Sequence, residues 1–331
     1  MTTQKTALVL GATGAFGGHA VQALLKYGWR IRALARDPEA AAAKAGPRTP
    51  IDWVKGDAMN EADVVAAARG ARVIVHAVNP PAYKNWPGLV LPMTRATIAA
   101  AKAEGARIVV PGNVYNYAPD AGPAIGEDAP QQPVTRKGKI RVEMERLLRE
   151  STMQGAKVLI VRAGDFFSGL SWITNRSNGR VRSMFRAGPA AVGHLWAYLP
   201  DLAETTARLL EREAELDDFA VFHFRGHWLD RSDEIIASVR RVTGQAKLPV
   251  RPFPWLLVYA LAPLVELFRE LAEMRYLQQK PIGLANAKLV AFLGGEPHTP
   301  LDAAVSAALE ELGVALDAAP DPAAGLACPA A

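Results

Sequence analysis

A chain of 331 residues, half of them hydrophobic and 21% charged, has the composition of an ordinary folded protein and the length of one large domain or two. Its net charge of +5 comes with no lysine- or arginine-rich run, so a phosphate-bearing ligand accounts for the excess better than nucleic acid does. Cys328 is the single cysteine and lies in an Ala/Pro tail, which leaves no disulfide framework, no metal cluster and no buried thiol nucleophile. Residues 1–6 lack a signal-peptide pattern, and the most apolar stretch, 254–268, holds Pro263 and Glu266 and is too short to span a bilayer. A cytoplasmic enzyme, with neither metal nor membrane as partner, is expected.

Residues 7–10 are four apolar residues in a row, a buried parallel strand. Glycines follow at 11, 14 and 17, and from Phe16 the pattern turns helical, with Phe16, Ala20, Ala23, Leu24 and Tyr27 on one face. A glycine turn from strand to helix suits a pyrophosphate, because helix N-termini offer free N–H groups and a positive dipole end. Gly11 can supply the tight turn, Gly14 the close approach to phosphate and Gly17 the helix–strand contact. The spacing is G-x-x-G-x-x-G rather than G-x-G-x-x-G.

A second strand over 29–35 ends at Arg36-Asp37-Pro38. In dinucleotide folds this strand end faces the adenosine ribose, where arginine accommodates a 2′-phosphate and an acid favours a free hydroxyl. Arg36 coming first favours NADP over NAD; the alternative is a solvated Arg36 beside a capping or turn Asp37. Residues 51–55 form a third strand before Gly56-Asp57, where Asp57 either meets the adenine amino group or serves the turn. A helix over 61–69 leads to a fourth strand over 72–76, stopped by Pro80-Pro81. His76 lies in an apolar run and reads as a packed core histidine sooner than a catalytic one.

A helix over 87–104 and a fifth strand over 107–110 precede the polar loop 111–119, at the strand end where doubly wound sheets bind ligands. The next helix, 135–150, starts with Arg136, Lys137, Lys139 and Arg141, against its own dipole. Either an anionic partner or i,i+4 pairs such as Lys139–Glu143 offset that charge. The sixth strand, 157–161, ends in Arg162-Ala-Gly-Asp165. Alternating strands and helices predict an α/β, Rossmann-type doubly wound parallel sheet over residues 1–165.

Residues 166–312 predict a smaller α+β substrate lobe, with a flexible flap at 175–179 and a capping box Asp201-x-x-Glu204 opening a helix to about 212. A strand near 219–224 is positioned to join the main sheet. Helices follow over 233–242, 255–274 with a kink at Pro263, 284–293 and 302–312, and residues 313–331 form a disordered tail.

Gly11 to Gly17, Gly56-Asp57, His76-Ala-Val78, Val114-Tyr-Asn-Tyr117 and Arg162-Ala-Gly-Asp-Phe-Phe167 together make the chain resemble an extended or atypical short-chain dehydrogenase/reductase of the NAD(P)-dependent epimerase/dehydratase superfamily. The resemblance implies cofactor contacts at Gly11, Thr13, Gly14, Ala15, Phe16 and Gly17, at Arg36, Asp57 and Ala58, at Ala77, Val78 and Asn79, and at Lys139 and Ala163. It also implies a Tyr-x-x-x-Lys pair in which tyrosine is the acid/base and lysine clamps the nicotinamide ribose. Here Lys139 takes the lysine place, Thr135 stands where tyrosine is usual, and Asn113 takes the usual Ser/Thr place. A threonine hydroxyl is far less acidic than a phenol near pKa 10, so the proton has to come from Tyr115 or Tyr117. The expected function is an NADP-dependent oxidoreductase acting on a small carbonyl or alcohol, its substrate anionic if the basic helix start meets it, its assembly a monomer or homodimer. Two alternatives stand beside it: a non-catalytic NADP-binding redox sensor, and a nucleotide-sugar epimerase or dehydratase.

Overall fold

The computed structural model describes residues 5–46, 49–80 and 85–316. Its strands, in chain order, are β1 (Thr6–Leu10), β2 (Arg30–Ala35), β3 (Ile51–Lys55), β4 (Val73–His76), β5 (Arg107–Gly112), β6 (Lys157–Arg162), β7 (Asp165–Phe166), β8 (Thr174–Ser177), β9 (Arg180–Arg186), β10 (His194–Ala197), β11 (Phe219–His223), β12 (His227–Leu229) and β13 (Val250–Pro252). The helices are α1 (Ala15–Lys26), α2 (Pro38–Ala45), α3 (Glu61–Ala68), α4 (Trp86–Glu104), α5 (Arg136–Thr152), α6 (Leu170–Ile173), α7 (Leu199–Glu211), α8 (Glu234–Val242), α9 (Trp255–Leu261), α10 (Glu266–Met274), α11 (Ala287–Leu293) and α12 (Leu301–Glu311).

Seven strands form one parallel sheet in the order β11-β6-β5-β4-β1-β2-β3. The central strands are apolar runs because both faces are covered. Helices α1 and α7 seal one face, where Phe16, Leu24, Leu202 and Leu209 pack on Val9, Val109 and Val161. Helices α3, α4 and α5 seal the other, around Leu8, Ile74, Ile108 and Ile160. The strand order reverses between β1 and β4, the switch point where such sheets leave a crevice for ligands. This is a Rossmann-type doubly wound architecture.

Two three-stranded sheets, β12-β10-β7 and β13-β9-β8, sit beyond the carboxyl ends of β4, β5 and β6. A separate core around Phe167, Met184, Trp196, Ile235, Val305 and Leu309 holds β9, β10, α8 and α12 together. The second lobe departs from the sequence expectation in several places. Residues 174–186 are a β-hairpin, and its turn is pinned where Ala315 N donates to Gly179 O at 2.8 Å, so 175–179 is not a free flap. Asp201 does not cap α7, which starts earlier at Leu199; its carboxylate instead accepts from Thr299 N and Oγ1. Pro263 and Leu264 break the long apolar helix into α9 and α10 rather than kinking it. The packed chain extends past 312, since Val314 is buried; the expected disordered tail lies, from 317 on, outside the described residues.

Candidate functional site

A single cavity of about 780 Å³ runs from the switch point into the second lobe. Gly11, Thr13, Gly14, Ala15 and Phe16 line one end, with Ala77, Val78 and Asn79 opposite them. Gly11 has φ +88°, and a Cβ built there would lie 2.7 Å from the Ala77 carbonyl oxygen. A Cβ on Gly17 would lie 2.1 Å from the Gly11 carbonyl, so α1 leaves the turn in contact with its backbone. Only glycine fits either place. Gly17 thus sits behind the wall as the helix–turn contact. The turn presents the first N–H groups of α1 to the cavity, the arrangement that suits an anionic phosphate.

Arg36, exposed at the end of β2, lines the same end, and Lys44 on α2 lines it too. Asp37 is spoken for: its carboxylate accepts from Ala40 N at 3.0 Å and caps α2, which begins on Pro38. Among the described residues, this end of the cavity therefore carries two cations and no acid. Asp57 and Ala58 do not line it. The Asp57 carboxylate accepts from Met59 N at 2.9 Å, and its own N–H donates to Asp63, so it is a turn residue. Ala163 is fully buried behind the wall, and the neighbouring Gly164 lines the cavity in its place.

The middle of the cavity is built by residues 111–115 and α5. Asn113 and Tyr115 line it, and the Asn113 Oδ1 accepts from Tyr115 N at 3.0 Å. Arg162 donates to the Asn113 carbonyl from beneath at 2.9 Å, itself paired with the buried Glu145 at 2.8 Å. Tyr117 is not at the cavity. It is fully buried over Arg162, with its hydroxyl 3.3 Å from His223 Nε2. The Ile125 carbonyl can only accept, so His223 Nδ1 carries hydrogen and Nε2 takes the one from Tyr117. Burial, with Arg162 nearby, lowers the His223 pKa to about 4, which keeps that ring neutral.

Thr135 and Lys139 are also elsewhere. Thr135 is the buried cap of α5, its hydroxyl accepting from Gly138 N at 3.0 Å. Lys139 is exposed and outside the lining, because it stands roughly 200° around the helix from the residue that faces inward. That residue is Arg141, which donates to Asn79 Oδ1 at 3.2 Å and stacks 4.9 Å from the Trp86 ring. One turn earlier, Lys137 is fully buried and pairs with Glu270 of α10 at 2.9 Å, with Glu273 at 3.7 Å. Arg136 also pairs with Glu270. The expected Lys139–Glu143 pair is replaced by Glu143 with Arg146 at 2.7 Å. The anions that answer the basic helix start are thus the protein's own. His76 lines the cavity but is 4% exposed, with Nδ1 2.8 Å from Thr97 Oγ1; burial, then Arg141, lowers its pKa to about 3. It is the neutral packed histidine its apolar run suggested.

The far half of the cavity was not legible as a site. Phe166, Trp172, Phe185, Trp196, Phe253 and Trp255 line it, together with Asp165, Arg186, His194 and Gln278. His194 Nε2 lies 3.0 Å from Asp165 Oδ2, and Gln278 Nε2 lies 3.4 Å from the same oxygen. Asp165 belongs to a motif quoted from the sequence, but nothing in it pointed to His194, which arrives from a different sheet strand. Among the described residues no group of three His, Cys, Asp or Glu could hold a metal, and no helix is long and apolar enough to cross a membrane.

A family model described as NAD(P)H-binding matches residues 11–193. A 3-diazoavenalumate denitrifying reductase from a Streptomyces species is 31% identical over 178 residues, 48% of this chain and 56% of that protein. An NmrA-like family domain-containing oxidoreductase from Aspergillus versicolor is 42% identical over 71 residues, 21% of this chain and 20% of that one. The chain thus spans about half the length of the first relative and a fifth of the second. In fold it is similar to UDP-glucose 4-epimerase from Bifidobacterium longum, solved with NAD+ and UDP, with a TM-score of 0.71 at 14% identity over 92% of this chain and 97% of that one.

Proposed function

The chain belongs to the NAD(P)H-binding family, and on that premise we propose that it is an NADPH-dependent oxidoreductase acting on a small carbonyl or alcohol. The observation that carries the reading is the continuous cavity, which joins a glycine turn and two cations at one end to an aromatic chamber at the other. The turn from Gly11 to Phe16 holds the pyrophosphate through its backbone N–H groups. Arg36 and Lys44 hold a ribose 2′-phosphate, a group that two cations with no competing acid favour over a free hydroxyl. Arg141, fixed by Asn79 and Trp86, takes the ribose-clamping role expected of Lys139. When bound, the nicotinamide supplies or accepts a hydride. The chain's own residues manage the proton and the substrate oxygen. Tyr115 holds a proton on its phenol Oη, the most acidic hydroxyl the cavity's middle offers now that Tyr117 is committed to His223. Asn113 positions Tyr115 through its Oδ1 and keeps its amide N–H₂ for the substrate oxygen.

The test is cofactor choice. NADPH binds at least about tenfold more tightly than NADH, and Arg36→Glu removes or reverses that preference, read by isothermal titration. Equal affinities in the parent protein sink the 2′-phosphate assignment. Tight NADPH binding without turnover across a broad carbonyl panel assigns a cofactor-reading regulator instead.

A further inference from the structure

Resting on the oxidoreductase reading, we propose that the far half of the cavity takes an aromatic substrate bearing a hydroxyl group, and that His194, oriented by Asp165, reads that hydroxyl.

The aromatic part follows from the walls. Three of the chain's seven tryptophans, Trp172, Trp196 and Trp255, line this half of the cavity. Trp172 is 47% exposed although the second lobe has a core of its own within reach. Water-facing aromatic surface of this kind is uncovered area that a flat apolar ligand would bury, with ring–ring contacts adding to the gain. Beyond residue 164 the described lining holds one lysine or arginine, Arg186, and one carboxylate, Asp165. A nucleoside diphosphate, which needs several donors on its phosphates, is poorly served there.

The hydroxyl follows from the imidazole. Asp165 Oδ2 sits 3.0 Å from His194 Nε2, and a carboxylate accepts, so Nε2 carries the hydrogen. With the hydrogen on Nε2, Nδ1 is the ring's acceptor position. It is suited to an O–H donor and unsuited to an ether or a hydrocarbon at the same place. Gln278, 3.4 Å from the same Asp165 oxygen, holds the carboxylate from behind. The imidazole is 8% exposed and its ring stacks edge-on at 5.2 Å from Trp196, so its orientation is fixed before a ligand arrives. A buried polar group prepared for one partner discriminates strongly against a ligand that leaves it unpaired. Asp165 acts through His194 and is a positioning residue.

Tryptophan fluorescence of the full-length protein reads occupancy of this half without any turnover. The probes are 4-hydroxyacetophenone, 4-methoxyacetophenone, cyclohexyl methyl ketone and UDP-glucose. Expected is binding of the hydroxy compound at least about tenfold tighter than either its methoxy or its cyclohexyl counterpart, with UDP-glucose weakest. In His194→Phe the hydroxy-over-methoxy preference falls to about twofold or less, and Asp165→Asn lowers it in part, because the amide no longer fixes the ring's hydrogen on Nε2. NADPH affinity stays within about twofold in both variants. Three results overturn the proposal: no preference between hydroxy and methoxy probes in the parent, a preference that survives in both variants, or tighter binding of UDP-glucose than of the aromatic ketones. Loss of NADPH affinity together with loss of preference makes the pair structural and overturns it too. Failure of the parent to bind NADPH, with ligand discrimination intact, removes the oxidoreductase reading and leaves the recognition standing.

Discussion

The two halves of the cavity are made by different means. The half proposed for the cofactor comes from short contiguous segments at the ends of neighbouring parallel strands: residues 11–16 after β1, Arg36 after β2 and 76–79 at the end of β4. Its shape is largely backbone, set by a glycine at positive φ and a helix that leaves in contact with the turn. The far half gathers side chains from β7, α6, β9, β10 and α9, which reach it from two small sheets and the helices around them. Backbone recognition tolerates many side chains and fixes one ligand class. Side-chain recognition can be rewritten residue by residue, so one cofactor frame can serve many substrates.

The sharpest way to break this division lies at the seam. Lys137 of α5 is fully buried, and Glu270 of α10, also buried, is its nearest anion at 2.9 Å. Glu270→Ala removes the nearer of two carboxylates and leaves a fully buried cation with Glu273 at 3.7 Å, at a cost of about 3 kcal/mol. Because the pair ties the helix that carries Arg141 to the helix that carries Leu271 and Met274, both halves should loosen together. Urea unfolding, cofactor affinity and aromatic-ligand affinity are expected to fall in the same variant. A stability loss with one affinity intact shows that the halves are held independently.

A smaller effect separates the two tyrosines of one loop. Tyr115→Phe lowers turnover by about 10²-fold, the usual scale for losing a general acid. Tyr117→Phe keeps turnover and costs about 1 kcal/mol of stability, since it removes a buried hydrogen bond to His223. Steady-state rates beside melting curves check both, and the reverse pattern returns the acid to Tyr117.

The smallest effect concerns the helix register. Arg141→Ala weakens NADPH binding about tenfold, while Lys139→Ala leaves it unchanged within error. Titration of both variants decides whether the inward-facing position or the sequence-matched one clamps the ribose.

How far the sequence carried the reading follows the same division. The strand–glycine–helix turn, Arg36 and the segment from Ala77 to Asn79 are local patterns, and local patterns survive without tertiary information. The match of Lys139 to Thr135 by spacing carries no information on which face of α5 looks inward; Lys139 lies outside the cavity lining, and Arg141, two residues away and on the other side, lies in it. Asp57 and Ala163 were placed by strand ends, yet a turn hydrogen bond and full burial remove them from the cavity. Lys44 lies in an alanine-rich helix with nothing to distinguish it from a solvated lysine. His194 and Asp165 are 29 residues apart in different strands, and no periodicity announces such a meeting.

The last strand of the main sheet has its own consequence. β11 pairs in parallel with β6, yet the chain makes β7 through β10, α6 and α7 between the two. During synthesis β6 therefore waits with an open edge of apolar backbone until Phe219–His223 emerges, and closure of that long loop is slow relative to local pairing. A fragment ending at 165 carries every glycine of the dinucleotide turn but keeps that edge bare. Such a fragment is expected to aggregate rather than serve as a minimal cofactor binder, which light scattering of the truncated chain checks.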